Sequence, residues 1–244
     1  MSLNNKNFFA LSFSDINVLK GIAIIMMLCH HVYGGHEDYI ESYPIFFENL
    51  AIIGKVCVAM FLFCSGYGLS AQYEKNTLQI QQTKDIFTNS LLFIIRRLVK
   101  FYSAYWFVFI LFVPIGVFVF NRSLSMAYGD SVNLTKRLIF DFFGMQGTSS
   151  YNMAWWFNKL IIICYLIFPF LFFILKKNKT IGIIISFILL GVAHIFTSIN
   201  YYGILIWQFP FVLGIFWYLN LDSTFSNWIA NGLTNTNIYL RYYL

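Results

Sequence analysis

The sequence predicts an all-α fold, a polytopic transmembrane helical bundle of about six spans, and three observations predict it. Of the 244 residues, 59% are hydrophobic and only 11% are charged, against about 25% charged in an ordinary soluble domain. The apolar residues fall into long blocks, several of which meet or approach the roughly 20 residues a helix needs to cross a bilayer. Aromatic residues make up 21% of the chain, with 29 Phe and 16 Tyr. Tyr and Trp suit the membrane interface, where an apolar ring and a polar tip are both satisfied.

Taken in order, the first span covers about residues 18–33 and the second about 50–69. A polar stretch, AQYEKNTLQIQQTKD, follows. The third span covers about 101–120, after a basic and partly apolar lead-in, SLLFIIRRLVK. A polar connection over 121–137 leads to LIFDFFGM. That piece is too short to span, so it re-enters or lies at the interface. The fourth span is WWFNKLIIICYLIFPFLFFIL, the fifth about 181–196 and the sixth about 204–219. Pro114, Pro169 and Pro210 are expected kink points. Residues 220–244 read as a polar tail, and no internal repeat or second soluble domain is visible. The first apolar block lacks a small-residue cleavage site and is expected to be a retained helix.

Charge orients these spans. The segments before span one, between two and three, and between four and five hold Lys6, Lys20, Lys75, Lys84, Arg96, Arg97, Lys100, Lys176, Lys177 and Lys179. The opposite side holds Arg122, Lys136 and Arg137, with Lys159 near it. Basic residues mark the cytoplasmic side, so the N-terminus is expected inside. The net charge of +6 therefore reflects topology, and no nucleic-acid partner is expected. Cys29, Cys57, Cys64 and Cys164 all lie in apolar blocks without the paired spacing of a metal site, so no metal centre is expected.

The chemistry concentrates in the first span, LKGIAIIMMLCHHVYGG. Lys20 lies at its cytoplasmic end and His30 and His31 toward the other. Lys20 and His31 are separated by ten residues, about 16 Å along a helix axis. Ionisable residues inside a membrane are costly and point to function. A histidine near neutral pH serves as a general base, a nucleophile or a metal ligand. The structural alternative is an interfacial pair bonded to headgroups or water. Lys20 by itself reads as a positive-inside anchor.

A basic residue, ten intervening residues and a His on the first span resemble the motif of the acyltransferase-3 family, membrane proteins that move acyl groups onto sugars and other acceptors. GKVCVAMFLFCSGYGLS is similar to the family's second-span signature, ending in Ser65, Gly66 and Tyr67. IIRRLVKFYSAYW resembles its basic entry to the third span, with Arg96, Arg97 and Lys100 ahead of aromatics. WWFNKLIIICYLIFPF resembles its pattern of Trp156, Phe157, Tyr165 and Pro169, and FPFVLGIFW a later Phe-x-x-Gly helix. The likeness covers about residues 14–219. The chain departs from the pattern in having Asn17 where the family often has Asp, and Lys20 rather than Arg. It also shows six spans where about ten are usual, which suggests a shortened or partial member lacking the C-terminal part of the domain.

The resemblance implies an O-acetyltransferase of the cell (plasma or inner) membrane. It would take acetyl-CoA as a donor substrate, with no bound cofactor, and modify a hydroxyl of a surface or cell-envelope carbohydrate. His31 becomes the catalytic residue, with His30 as the spare; an acyl-histidine intermediate is the alternative to base catalysis. Lys20, Arg96, Arg97, Lys100, Ser65, Tyr67, Trp156 and Tyr165 become donor- or substrate-binding candidates. Each also has a plainer reading. The cations serve topology, Ser65 and Tyr67 cap the second helix, Gly66 allows close helix packing, and Trp156 and Tyr165 belong to the aromatic belt. Expected partners are the acyl-CoA donor, the glycan acceptor, the lipid bilayer and a second copy of the chain. Competing readings are a transporter or flippase for lipid-linked sugars, a haem protein ligated by His31 and His194, and an inactive truncated remnant. Asp141, in the short apolar piece, has no role in any of these readings.

Overall fold

The computed structural model describes residues 10–34, 44–80, 86–129, 131–145, 151–195 and 204–220. The side chains of 77–80, 131–132, 153, 190, 192–195 and 204–205 are excepted. Lys6, Lys84 and the tail beyond 220 lie outside these residues. Among them every regular element is helical: α1 (Phe13–Tyr33), α2 (Ile45–Gly54), α3 (Val56–Ile80), α4 (Ile86–Phe118), α5 (Leu124–Tyr128), α6 (Ser131–Phe142), α7 (Trp156–Lys177), α8 (Lys179–Ile195) and α9 (Ile204–Leu219), with a 3-10 turn at Met153–Trp155 before α7.

Among the described residues four stretches are long and apolar enough to cross a membrane: Phe13–Tyr33, Ile45–Asn76, Ile86–Phe118 and Trp156–Lys177. Lys179–Leu189 and Ile206–Leu219 are shorter apolar helices. The all-helical membrane fold expected from composition is the one observed. Large apolar side chains stand exposed along it, including Ile25, Leu28, Phe107, Ile110 and Phe170. Such exposure is costly in water and costs nothing in lipid.

Several helix boundaries differ from the expected spans, and two of the differences have a plain local reason. α1 begins five residues early because Ser12 and Asp15 form a reciprocal capping box: the Ser12 hydroxyl accepts from Asp15 N and the Asp15 carboxylate accepts from Ser12 N. α4 begins at Ile86, so the basic lead-in is helix. No glycine or proline interrupts Ile86–Val113, and Arg96, Arg97 and Lys100 therefore sit well inside α4.

The chain divides into two compact units. The first comprises Met1–Lys75, Leu171–Val192 and Trp207–Leu244. In it, α1 packs on α2 through small residues. A Cβ on Gly54 would lie 2.9 Å from His30 Cβ, and Ala23 and Ala51 are fully buried. α3 and α9 cross at Gly66 and Gly214, where a methyl group on either glycine would strike the carbonyl of Phe211 or Phe63 respectively. Buried Ser186 on α8 and Gln208 on α9 pair twice, the Ser186 hydroxyl donating to Gln208 Oε1 at 2.6 Å and Gln208 Nε2 donating to Ser186 O at 2.9 Å. Between apolar helices in lipid such polar pairs and close small-residue contacts supply the adhesion that hydrophobicity cannot.

The second unit comprises Asn76–Phe170 and Ala193–Ile206. Its core is aromatic, built on Tyr105, Phe109, Tyr128, Tyr151 and Trp155. Here LIFDFFGM forms the last part of α6 and the turn after it, and folds back along α4. The indole of Trp106 donates to Phe142 O at 2.9 Å and the Tyr102 hydroxyl to Phe143 O at 3.0 Å, while the Tyr105 hydroxyl donates to Asp141 O. From Phe118, where α4 ends, back to Tyr102–Trp106 is about 18–24 Å along the helix. α6 closes on Gly144 at φ 64°, with Gly144 N bonded to Asp141 O and Met145 N to Phe140 O. This is a left-handed glycine cap, and α4 contributes aromatic donors for the carbonyls it leaves open.

Candidate active site

α1 is unbroken between Lys20 and His31. Eleven residues at 100° each return the chain to within 20° of its starting direction. Lys20 and His31 therefore project from one face, and both are exposed. His30, one position back, faces α2. Its Nδ1 lies 2.9 Å from Ala51 O, a carbonyl that can only accept, so Nδ1 is the donor. Ala51 O is among the last four carbonyls of α2, which have no regular intrahelical partner. At that end Lys55 N turns instead to Ile52 O. The two imidazoles are 5.3 Å apart between ring centroids. His194 lies in α8 but its side chain is outside the described residues, and among those residues no group of three His, Cys, Asp or Glu side chains could hold a metal.

Lys20 lies near enough to Cys64 on α3 to interact with it electrostatically. Tyr67, three residues beyond Cys64, is buried, and its hydroxyl is engaged with the backbone ahead of α1. It accepts from Leu11 N at 3.0 Å and donates to Leu11 O at 3.2 Å. Its ring meets Tyr218 edge-on at 5.6 Å. The Tyr218 hydroxyl donates to Glu74 Oε2 at 2.7 Å, and Lys176 bonds Glu74 Oε1 at 3.1 Å. Tyr67 thus anchors the entry to α1. Ser65 is half-buried on α3.

In the second unit Arg97 and Tyr165 come together. They interact electrostatically, and the Arg97 guanidinium sits 5.5 Å over the Phe93 ring. Its Nη2 is buried and makes no hydrogen bond. Arg96 and Lys100 are exposed on α4. Trp156 is half-buried at the start of α7, its ring 6.2 Å from Phe157. Lys159, one turn further, is exposed.

The residue that sequence reasoning left without a role is the most constrained in this unit. Asp141 is 1% exposed. Its Oδ2 accepts from the Tyr128 hydroxyl at 2.6 Å and from Tyr151 N at 3.1 Å, while Oδ1 is buried without a partner. Burial pushes its carboxyl above the usual aspartate value, against the two bonds that pull it down. Burial likewise raises the Tyr128 hydroxyl, with Asp141 adding to the effect. Arg122 and Arg137 bind the carbonyls of Tyr151 and Tyr128 at 2.8 Å each. Asp141 therefore ties α5, α6 and the approach to α7 together. The sequence signal was present in one form: a charged residue inside an apolar octet marks either a site or a buried keystone.

Long apolar helices with a Lys–His row on the first of them and a half-buried arginine on another define an integral membrane protein with ionisable groups inside its spans. The chain belongs to the acyltransferase-3 family, whose model, described as an acyltransferase domain, matches residues 13–234. No curated protein and no solved structure matches it. The protein is a membrane acyltransferase.

Proposed function

We propose that the protein is an O-acetyltransferase of the cell membrane that moves an acetyl group from acetyl-CoA to a hydroxyl of a surface or exported carbohydrate. The observation that carries this reading is the placement of Lys20 and His31 on one face of a continuous helix. In this scheme His31 is the general base. It removes the proton of the acceptor hydroxyl as that oxygen attacks the thioester carbonyl. The tetrahedral intermediate then collapses, the carbon–sulfur bond breaks, and the thiolate of CoA leaves and takes the proton that His31 holds, which restores the base. The new ester carries the acetyl group.

Acetyl-CoA is anionic, and its phosphates need cationic partners. Arg97 supports a donor role because a half-buried arginine whose buried Nη2 is open gains a charge-assisted bond when an anion arrives. Arg96 and Lys100 on the same helix add positive charge. Tyr165, near Arg97, is the neutral neighbour that would share such a ligand. Ser65 and Trp156 remain candidates for contact with donor or acceptor, each within its own unit.

The test is acetyl-CoA hydrolysis and acetyl transfer to a glycan acceptor by the 244-residue chain in membranes, beside His31→Ala. A rate that falls to background in His31→Ala, with the wild type active, supports His31 as the base. Equal rates in the two proteins would sink the mechanism.

A further inference from the structure

α1 faces a problem that helices in water do not. Exposed apolar residues at Val18, Ile22, Ile24, Ile25, Leu28 and Val32 cover an arc of about 160° on one side of it. Lipid is as apolar as these side chains, so burial hardly favours one rotation of the helix over another. The direction in which His31 points must then be set by something other than hydrophobicity.

We infer that His30 is a positioning residue: its Nδ1–H bond to Ala51 O locks the rotation of α1 and so aims the Lys20–His31 row. The inference rests on the reading of His31 as the base. Three features of the α1–α2 contact carry it. The bond is directional and ends on a helix-terminal carbonyl that would otherwise be open. The contact is close because it is made over glycine: a Cβ on Gly54 of α2 would come within 2.9 Å of His30 Cβ, and one on Gly34 at the end of α1 within 3.2 Å of Ala51 Cβ. And consecutive residues on a helix differ by 100°, so once His30 is held against Ala51 the direction of His31 is settled, and that of Lys20 with it.

Two isosteres separate positioning from chemistry. The amide nitrogen of asparagine overlays histidine Nδ1, and that of glutamine overlays Nε2. His30→Asn keeps a donor for Ala51 O, whereas His30→Gln and His30→Ala do not. Acetyl transfer should persist near the wild-type kcat in His30→Asn and fall about 3- to 20-fold in His30→Gln and His30→Ala, with the KM for acetyl-CoA unchanged. A second readout needs no activity. Cys29 is half-buried while Cys57, Cys64 and Cys164 are buried, so maleimide labelling of Cys29, read by peptide mass spectrometry in the full-length protein, reports the rotation of α1. Its rate should match wild type in His30→Asn and change several-fold in the other two. An unchanged rate in all three variants, or a His30→Asn protein that labels like His30→Ala, overturns the inference. Absence of acetyl transfer in the wild type itself would overturn the acetyltransferase reading and leave the labelling result to decide the role of His30.

Discussion

Replacing Gly66 with alanine tests the α3–α9 crossing directly. The added Cβ would lie 3.1 Å from the Phe211 carbonyl carbon and 3.3 Å from Ile215 N, and closer still to Phe211 O. All three are backbone atoms of α9 and cannot swing aside. Restoring ordinary contact requires the helices to part by roughly 1 Å, which loosens Tyr67, Phe211 and Ile215, all buried there. Overpacking of this kind costs about 1–3 kcal/mol. For a chain of this size each kcal/mol lowers the thermal midpoint by about 2–4 °C. The control is two residues away: a Cβ on Gly68 meets nothing within 4 Å, so Gly68→Ala should be neutral or stabilise its helix by up to about 1 kcal/mol. Gly214→Ala should resemble Gly66→Ala. The double variant should fall short of the sum, because one separation of the helices relieves both clashes. The assay is retention of the monodisperse peak in size-exclusion chromatography after heating in detergent at a fixed rate. Equal midpoints for Gly66→Ala and Gly68→Ala would refute the close crossing.

Three further outcomes follow from the second unit. Because burial raises the Asp141 carboxyl in the folded chain, the folded state holds a proton that the unfolded chain has released. The stability this contributes is complete below the ordinary value of 3.8 and is lost as pH rises through the raised folded value. Asp141→Asn should remove that decline in midpoint between acidic and neutral pH, and parallel profiles for the two proteins would refute the assignment. Trp106→Phe removes the donor to Phe142 O and should cost about 1–3 kcal/mol, with faster proteolysis of the connection between α4 and α7; unchanged proteolysis would contradict the fold-back of α6. Arg97→Lys keeps the charge but loses the fork, and should raise the KM for acetyl-CoA about tenfold with little effect on kcat; an unaltered KM would remove Arg97 from donor binding.

By itself the sequence determined the solvent and the class of structure. A chain with 59% hydrophobic residues in blocks of near-spanning length has no way to hide its apolar surface from water, and in lipid the helix satisfies every backbone group internally. The Lys20–His31 spacing was equally legible, because two residues eleven apart share a face on any uninterrupted helix. What the sequence left open were the questions decided by partners distant along the chain. His30 and His31 are adjacent and chemically identical; only Ala51, 21 residues away, makes one a bonded interface residue and leaves the other exposed. The hydrogen bonds of Tyr67 run to Leu11, 56 residues before it. Asp141 had no role in the linear pattern because its partners, Tyr128 and Tyr151, lie on either side of it in sequence and meet it only once α6 folds back along α4. Hydrophobic periodicity reports which solvent a helix meets. The rotation of each helix, and the partner of each buried polar atom, are set by directional bonds between helices, and these exist only in the folded protein.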